Sequence, residues 1–239
     1  MKAVILAGGK GTRLHPYSAV LPKPLMPLGD IPVLELLLRQ LRAVDVHEVF
    51  LAVNHQRHLI EAFCGDGSRF GLRIRYSLED KPLGTAGPIA AVIDELGDNF
   101  IVTNGDLLTS CNIEAMMRFH HDVRAAATIG VYSREVKIDF GVIEVDDDMR
   151  MINYIEKPAY QNLVSMGIYV LNATAIRPFL SSGEYLDMPV LMKNLHDAGA
   201  DVRCFRNEGF WLDIGRPEDF SQAQKIYADN PQIFLRQST

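Results

Sequence analysis

Cysteine is scarce in this 239-residue chain: Cys64, Cys111 and Cys204 are widely spaced, odd in number and never arranged as CxxC. That argues against a disulfide framework or a zinc site and for free thiols in a reducing compartment. Positive charge is not in excess either. A formal net charge of -6 provides no basic field for nucleic acid, so any cations that bind phosphate must be local. Long apolar runs are missing as well. Nothing approaches the roughly 20 residues of a membrane span, and the apolar start Met1–Leu6 stops at glycines, too short for a signal-peptide core. The expectation is a soluble, cytoplasmic protein with no membrane or nucleic-acid partner. Internal repeats, low-complexity stretches and a hexapeptide β-helix pattern are absent from the sequence. What is present, 48% hydrophobic and 23% charged residues, suits one large globular domain or two small ones sharing a site.

Apolar runs of strand length alternate with helical patterns, the signature of an α/β layered domain. Strands are predicted at Met1–Leu6, Glu48–Val53, Leu72–Tyr76 and Phe100–Thr103. Helices are predicted at Val33–Val44, at Gln56–Cys64, and from Thr85 or Gly87 through Leu96. This rhythm calls for right-handed crossovers and a mostly parallel sheet, with ligands at the carboxyl ends of its strands. The glycine turn after Leu6 and the Asn104-Gly105-Asp106 segment both fall there. From about Ala125 the strand-like runs Ala126–Val131, Val142–Val145, Met151–Glu156 and Ser165–Leu171 are separated by turns, which suggests antiparallel additions and a lid-like subregion. Helical character returns at Asp187–Ala198 and Pro217–Ala228, and the tail after Asn230 is unpatterned. The expected organisation is a single domain over 1–229, with a nucleotide-binding part of about 1–124, a sugar-binding part of about 125–229, and a tail over 230–239.

The chemistry concentrates in Leu6–Pro27, LAGGKGTRLHPYSAVLPKPLMP. Gly8, Gly9 and Gly11 let the backbone fold tightly and present N–H groups to an anion. Lys10, Arg13 and Lys23 add cations, Arg13 with a fork that matches phosphate oxygens. A P-loop would need a Lys-Ser/Thr pair after its last glycine, and Gly11 is followed instead by Thr12-Arg13. A dinucleotide fingerprint would need a third glycine where Leu14 stands, and no acidic residue follows the second strand to hold a ribose, only Ala52-Val53-Asn54.

The segment resembles the signature loop of the sugar-1-phosphate nucleotidyltransferases, GGxGTRLxPxTxxxPKPxxP, with Ser18 in place of the usual threonine. Further blocks match in family order over roughly residues 1–228: Pro82–Gly87, Asn104–Asp106, Glu156-Lys157-Pro158, Gly167-Ile168-Tyr169 and Trp211–Gly215. The resemblance implies a Rossmann-like three-layer α/β/α fold with a mostly parallel mixed sheet and an antiparallel sugar-binding subregion. It also implies Mg²⁺ as cofactor and a nucleoside triphosphate and a sugar 1-phosphate as substrates, in a possible homodimer. Asp106 and Asp213 would hold the metal, Arg13 would neutralise the β- and γ-phosphates, and Lys23 would act on the α-phosphate. Leu6, Ala7, Gly8, Gly9, Gly11, Thr12, Glu79, Gly84, Thr85, Asn104 and Gly105 would line the nucleotide. Gly141, Glu156, Lys157 and Ser165 would face the sugar phosphate, Ser165 standing where many relatives carry asparagine.

The blocks EDKPLGTAGP and GFWLDIG resemble the mannose-1-phosphate guanylyltransferase branch, and a carboxylate at Glu79 could accept both N1–H and N2–H of guanine, so GTP is the favoured donor. Mannose, a manno-heptose, glucose and a cyclitol all remain open as the phosphorylated acceptor. Taken singly, Asp106 could be a helix cap, Asp213 a turn residue and Glu156-Lys157 a solvated strand end. The seven histidines lack metal-ligand spacing, and Asp146-Asp147-Asp148 suits a solvated hairpin turn. A silent regulatory paralogue would be expected to lose a loop cation or a metal carboxylate, and Arg13, Lys23, Asp106 and Asp213 are all present.

Overall fold

The computed structural model describes residues 1–79 and 81–235; Asp80 and the last four residues of the expected tail lie outside the described residues. The first half runs β1 (Lys2–Leu6), β2 (Pro27–Leu28), β3 (Ile31–Pro32), α1 (Val33–Ala43), β4 (Glu48–Val53), α2 (Arg57–Cys64), β5 (Arg73–Leu78), β6 (Asn99–Asn104), β7 (Leu107–Thr109) and α3 (Ile113–Val123). The second half runs β8 (Ala127–Lys137), β9 (Val142–Val145), β10 (Met151–Ile155), β11 (Ala159–Asn172), α4 (Ala173–Ile176), α5 (Met188–Asp197), β12 (Val202–Arg206), β13 (Trp211–Asp213) and α6 (Pro217–Asp229).

Seven strands form one sheet in the order β12-β8-β11-β6-β1-β4-β5, and only β11 runs against the others. Side-chain alternation divides the interior into two cores, because successive strand residues point to opposite faces. Ala3 and Ile5 of β1, with Val49 and Leu51 of β4, pack on one face under α1, α2, α3 and α6. Val4, Phe50, Phe100 and Val102 pack on the other, under α4, α5 and the segment around Ile89 and Ile93. The result is the expected three-layer α/β/α fold. In α1 the leucines at 34, 37, 38 and 41 are buried, while Arg39 on the outer face donates to Glu35 one turn earlier.

One predicted helix is replaced. Between Gly84 and Leu96 the chain makes two 3-10 segments, Gly87–Ala91 and Ile93–Glu95, and no α-helix. The backbone N–H groups of Ala86 and Gly87 both donate to the Leu186 carbonyl (2.8 and 3.0 Å), so the first turn is bound across the fold instead of along its own axis. Beyond Asn230, where the sequence shows no pattern, Pro231–Ile233 forms a 3-10 turn and Phe234 is buried against Phe210 and Tyr227. β12, unpredicted, extends the sheet by pairing parallel to β8.

β11 pairs with β6 only over Ile168–Asn172, whereas its first half continues with the outer half of β8 past the edge of the sheet. Together with the β9–β10 hairpin this forms the antiparallel subregion. Asp146 Oδ1 closes the hairpin by accepting from Asp148 N and Arg150 N (3.0 and 2.9 Å), so the aspartate run is a solvated turn as expected.

Candidate functional site

Three parallel strands end side by side at Leu6, Val53 and Asn104, and the chain leaves each into a loop that faces the same space. Backbone bonds fix those loops to one another: Ala7 N donates to Ala52 O (2.8 Å) and Gly105 N to Leu6 O (2.9 Å). Leu6, Ala7, Gly8, Gly9, Lys23, Glu79, Gly84, Thr85, Asn104 and Asp106 line a cavity of about 350 Å³ there, together with Asn54, Pro24, Pro82, Leu83 and Tyr185. That volume suits a small molecule.

The charged floor of the cavity is built across the sequence. Lys23 opens a 3-10 turn rich in proline and donates to Asp106 Oδ2 at 3.1 Å, both side chains being largely buried. Gly11 sits beneath it with φ +64, and a Cβ there would stand 2.9 Å from Lys23 Cγ, so only glycine lets the lysine lie where it does. Asp213, which is not among the cavity-lining residues, comes beside Asp106 because β13 pairs with β7 and Ile214 N donates to Asp106 O (3.0 Å). A Cβ placed on Gly215 would have Asp213 Oδ2, Arg13 Nη2 and Asp219 Oδ2 all within 4 Å, which brings Arg13 to the edge of the carboxylates. Burial and the neighbouring Asp106 charge push the Asp213 carboxyl up to about 6, against the opposing pull of Lys23 and Arg13. Two carboxylates thus share one half-buried corner with too little positive charge to settle both.

The upper wall holds itself in place. Glu79 Oε2 accepts from Leu83 N (3.1 Å), Oε1 faces Gly8, and burial holds the carboxyl above its ordinary value. Asn54 Nδ2 donates to Glu79 O (3.0 Å). Thr85 donates through N and Oγ1 to Asp187 Oδ1 (3.1 and 3.3 Å), and its hydroxyl accepts from Met188 N (2.7 Å). Gly84 has φ +78, and any Cβ would meet Leu186 O at 2.5 Å. Thr85 therefore spends its polar groups joining two loops, and it lines the cavity with what remains.

The residues expected at the sugar phosphate are placed elsewhere. Gly141, Glu156 and Lys157 belong to the antiparallel subregion and are not among the cavity-lining residues. Lys157 has φ +45, and Gly141 packs so closely on the Tyr154 ring that a Cβ would lie 2.3 Å from its hydroxyl. Ser165 Oγ hydrogen-bonds to Tyr169 OH (2.9 Å), and Trp211 Nε1 donates to Met166 O (2.9 Å), which ties the start of this region to Asp213's strand. Thr12 lies exposed in the 3-10 turn Thr12–Leu14 and adds no cavity contact.

Sequence reasoning missed Tyr185 and Asp187. They lie in an irregular loop with no pattern of its own, and Tyr185 OH donates to Asp187 Oδ2 (2.5 Å) at the cavity mouth. Of the histidines, His120 is buried between Thr128 Oγ1 (2.8 Å) and Asn99 Oδ1 (3.1 Å), a structural role. Cys64, Cys111 and Cys204 are free thiols, and burial pushes the first two up to about 12.

Among the described residues no cluster of three or more His, Cys, Asp or Glu side chains forms a protein-only metal cage. Two carboxylates are nonetheless a donor set that fits Mg²⁺, which keeps its remaining positions for phosphate oxygens and water. The closeness of Asp213 to Asp106, set by the β13–β7 pairing, is what favours such an ion, since a divalent cation would relieve their repulsion.

Fold and site together define a three-layer α/β protein with a glycine-rich loop beside a lysine and two carboxylates at the carboxyl edge of its sheet. A family model described as nucleotidyl transferase matches residues 2–230, and the chain belongs to that family. It is 34% identical over 224 residues to a mannose-1-phosphate guanylyltransferase of Mycobacterium tuberculosis, covering 91% of this chain and 62% of that protein. It is 33% identical over 242 residues to the UTP–glucose-1-phosphate uridylyltransferase of Synechocystis, covering 93% and 62%. The chain thus spans 62% of the length of each of these relatives. A solved Bacillus anthracis protein, named for glucose-1-phosphate thymidylyl transfer, matches with a TM-score of 0.78 and 25% identity over 96% of both chains. No helix among the described residues is long and apolar enough to cross a membrane.

Proposed function

We propose that the chain transfers a nucleotidyl group from a nucleoside triphosphate, GTP favoured, to a sugar 1-phosphate in the cytoplasm. A phosphate oxygen of the acceptor attacks the α-phosphorus in line. The bond from that phosphorus to the α–β bridging oxygen breaks, and pyrophosphate leaves with the electron pair. The observation that carries this reading is the Lys23–Asp106 pair at the floor of a cavity walled by the glycine loop, with Asp213 close enough to feel both charges. Such a reaction needs alignment and neutralised phosphate charge more than proton transfer, and the floor supplies both.

Lys23, held by its stem against Gly11, would meet charge on the α-phosphate oxygens, and Arg13 the β- and γ-phosphates. Backbone N–H groups of Gly8 to Gly11 would cradle the anion. Asp106 and Asp213 would hold Mg²⁺, which when bound withdraws charge from the phosphate oxygens and fixes their orientation. Glu156 and Lys157 would take the sugar hydroxyls and its phosphate.

Support for guanine comes from Glu79, whose Oε1 faces the nucleotide loop while Oε2 retains a lone pair after accepting from Leu83 N. The guanylyltransferase relative points the same way, while the uridylyltransferase relative at nearly the same identity makes the base the part most in need of measurement. Incubation with Mg²⁺, each of five nucleoside triphosphates and a panel of sugar 1-phosphates tests the proposal by pyrophosphate release. GTP with mannose 1-phosphate is expected among the best pairs. Pyrophosphate release with no pair would overturn the reading, and UTP or dTTP as best donor would overturn the guanine preference alone.

A further inference from the structure

Asp187 stands at the head of a helix and does not cap it. It precedes α5 in extended backbone, where an aspartate ordinarily accepts an N–H of the helix's first turn. Neither carboxylate oxygen does so. Oδ1 accepts from Thr85 N and Oγ1 (3.1 and 3.3 Å) and Oδ2 from Tyr185 OH (2.5 Å), while the helix's own Met188 N turns to Thr85 Oγ1 (2.7 Å). The backbone beside the tyrosine is held as well: Leu186 N donates to Leu83 O (2.9 Å), and Leu186 O accepts from Ala86 N and Gly87 N.

What these bonds hold is a ring with little packed on it. Tyr185 is 63% exposed, and it is the one aromatic side chain among the described residues that line the cavity. Fixing an exposed side chain costs rotamer entropy, which a ring left in water does not recover through burial. A helix cap diverted to such a ring at a cavity rim adds little to the folded chain by itself, and it preorganises the ring for a ligand.

The ring stands on the wall of the cavity and not on its floor. Its loop is bonded to the stretch from Leu83 to Gly87, and Leu83 N is bonded in turn to Glu79, whereas the Lys23–Asp106 pair is carried by other segments. We propose that Tyr185 is a donor-binding residue whose ring packs against the face of the nucleotide base, an inference that rests on reading the cavity as a nucleoside triphosphate site. A base is flat, apolar on its faces and polar at its edges. Glu79 offers an acceptor to an edge, and the tyrosine offers its π-face. The two contacts divide the recognition between them. Every base has a face, so stacking raises affinity for all of them and most for the larger purines, while the edge contact tells guanine from adenine.

Calorimetric titration of the whole chain, with Mg²⁺ and without acceptor, separates the two contacts by using GTP, ATP, UTP and inorganic tripolyphosphate. Tyr185→Ala should weaken GTP and ATP alike by about tenfold and UTP by less, with tripolyphosphate affinity unchanged. Tyr185→Phe keeps the face and loses the tether to Asp187, so its loss should be about threefold. Tyr185→Leu, of comparable bulk without the π-face, should lose as much as Tyr185→Ala, which keeps the test sound where the smaller side chain loosens the loop. Because the side chain is mostly exposed, melting temperatures should stay within about 2 °C of the wild type. Wild-type nucleotide affinity in Tyr185→Ala and Tyr185→Leu would overturn the assignment. So would an equal loss for tripolyphosphate, which would make the ring a support for the loop, or a change confined to acceptor KM, which would set it against the sugar. The titrations need no turnover: this pattern of binding without transfer sinks the proposed reaction alone, and a wild type that binds no nucleotide overturns both.

Discussion

The loops around the cavity and the antiparallel arm beyond the sheet edge, made of the outer halves of β8 and β11 and the β9–β10 hairpin, meet the solvent in opposite ways. Polar groups at the cavity are spoken for by the protein itself: Lys23 by Asp106, Glu79 by Leu83, Thr85 by Asp187 and Met188. The arm keeps apolar side chains in water and Glu156 and Lys157 on an exposed turn. The first region holds its own shape through these bonds, and the second leaves its side chains to the solvent. At the cavity one corner departs from this self-sufficiency, where Asp213 and Asp106 repel each other.

Breaking that corner should produce the largest effect and separate function from stability. Asp106→Asn and Asp213→Asn should each lower kcat on the order of 10³-fold, because each removes charge from the proposed metal position. Asp213→Asn should nevertheless raise the melting temperature of the metal-free protein at neutral pH. The folded carboxyl titrates near 6, above its ordinary value, so the folded state binds the proton more tightly than the unfolded one. Stability is then highest below the unfolded value and falls as pH rises through the folded one. Discounted for partial exposure, the gain in the variant is about 1–2 kcal/mol above pH 7 and vanishes below about pH 4. Calorimetry across that range checks the sign; a melting temperature lowered at pH 7 would mean that Asp213 is not strained.

Lys23→Ala comes next, with kcat reduced by about 10²–10³-fold and a much smaller change in nucleotide KM, if its charge is matched best in the transition state. A loss confined to KM would make it a ground-state contact. Lys157→Ala sharpens the contrast from the other side: acceptor KM should rise about tenfold or more while nucleotide KM and the melting curve stay put, since Lys157 has no ion-pair partner among the described residues. Glu79→Ala should have the smallest effect on turnover, reducing a GTP-over-ATP preference of more than about tenfold in kcat/KM. Competition between the two nucleotides measures it.

Local pattern carried much of this molecule. The leucine spacing of α1 and the apolar run Val49–Val53 of β4 are each buried as read, because amphipathic period and burial are local properties of the chain. The segment after Thr85 was misread as helix because its apolar content is helical in length, while the carbonyl that captures its first N–H groups belongs to Leu186, a hundred residues away. Phe234 was invisible for the same reason: its partners Phe210 and Tyr227 are remote or lie in another element. At the site, the glycine loop showed in residue type and order, whereas Asp106 and Asp213 stood out only through the family resemblance, each alone reading as a cap or a turn residue. The Thr85–Asp187–Tyr185 clasp was not, since nothing near Asp187 in sequence marks it as a hydrogen-bond hub.

The central claim, that the cavity floor promotes attack at the α-phosphorus, is tested most directly with GTP labelled in turn at the α- and γ-phosphates. With Mg²⁺ and a sugar 1-phosphate acceptor, the α-label should move into the sugar nucleotide and the γ-label into pyrophosphate, in equal amounts. A γ-label transferred to the acceptor, or released as orthophosphate with no α-label in a sugar nucleotide, would contradict it.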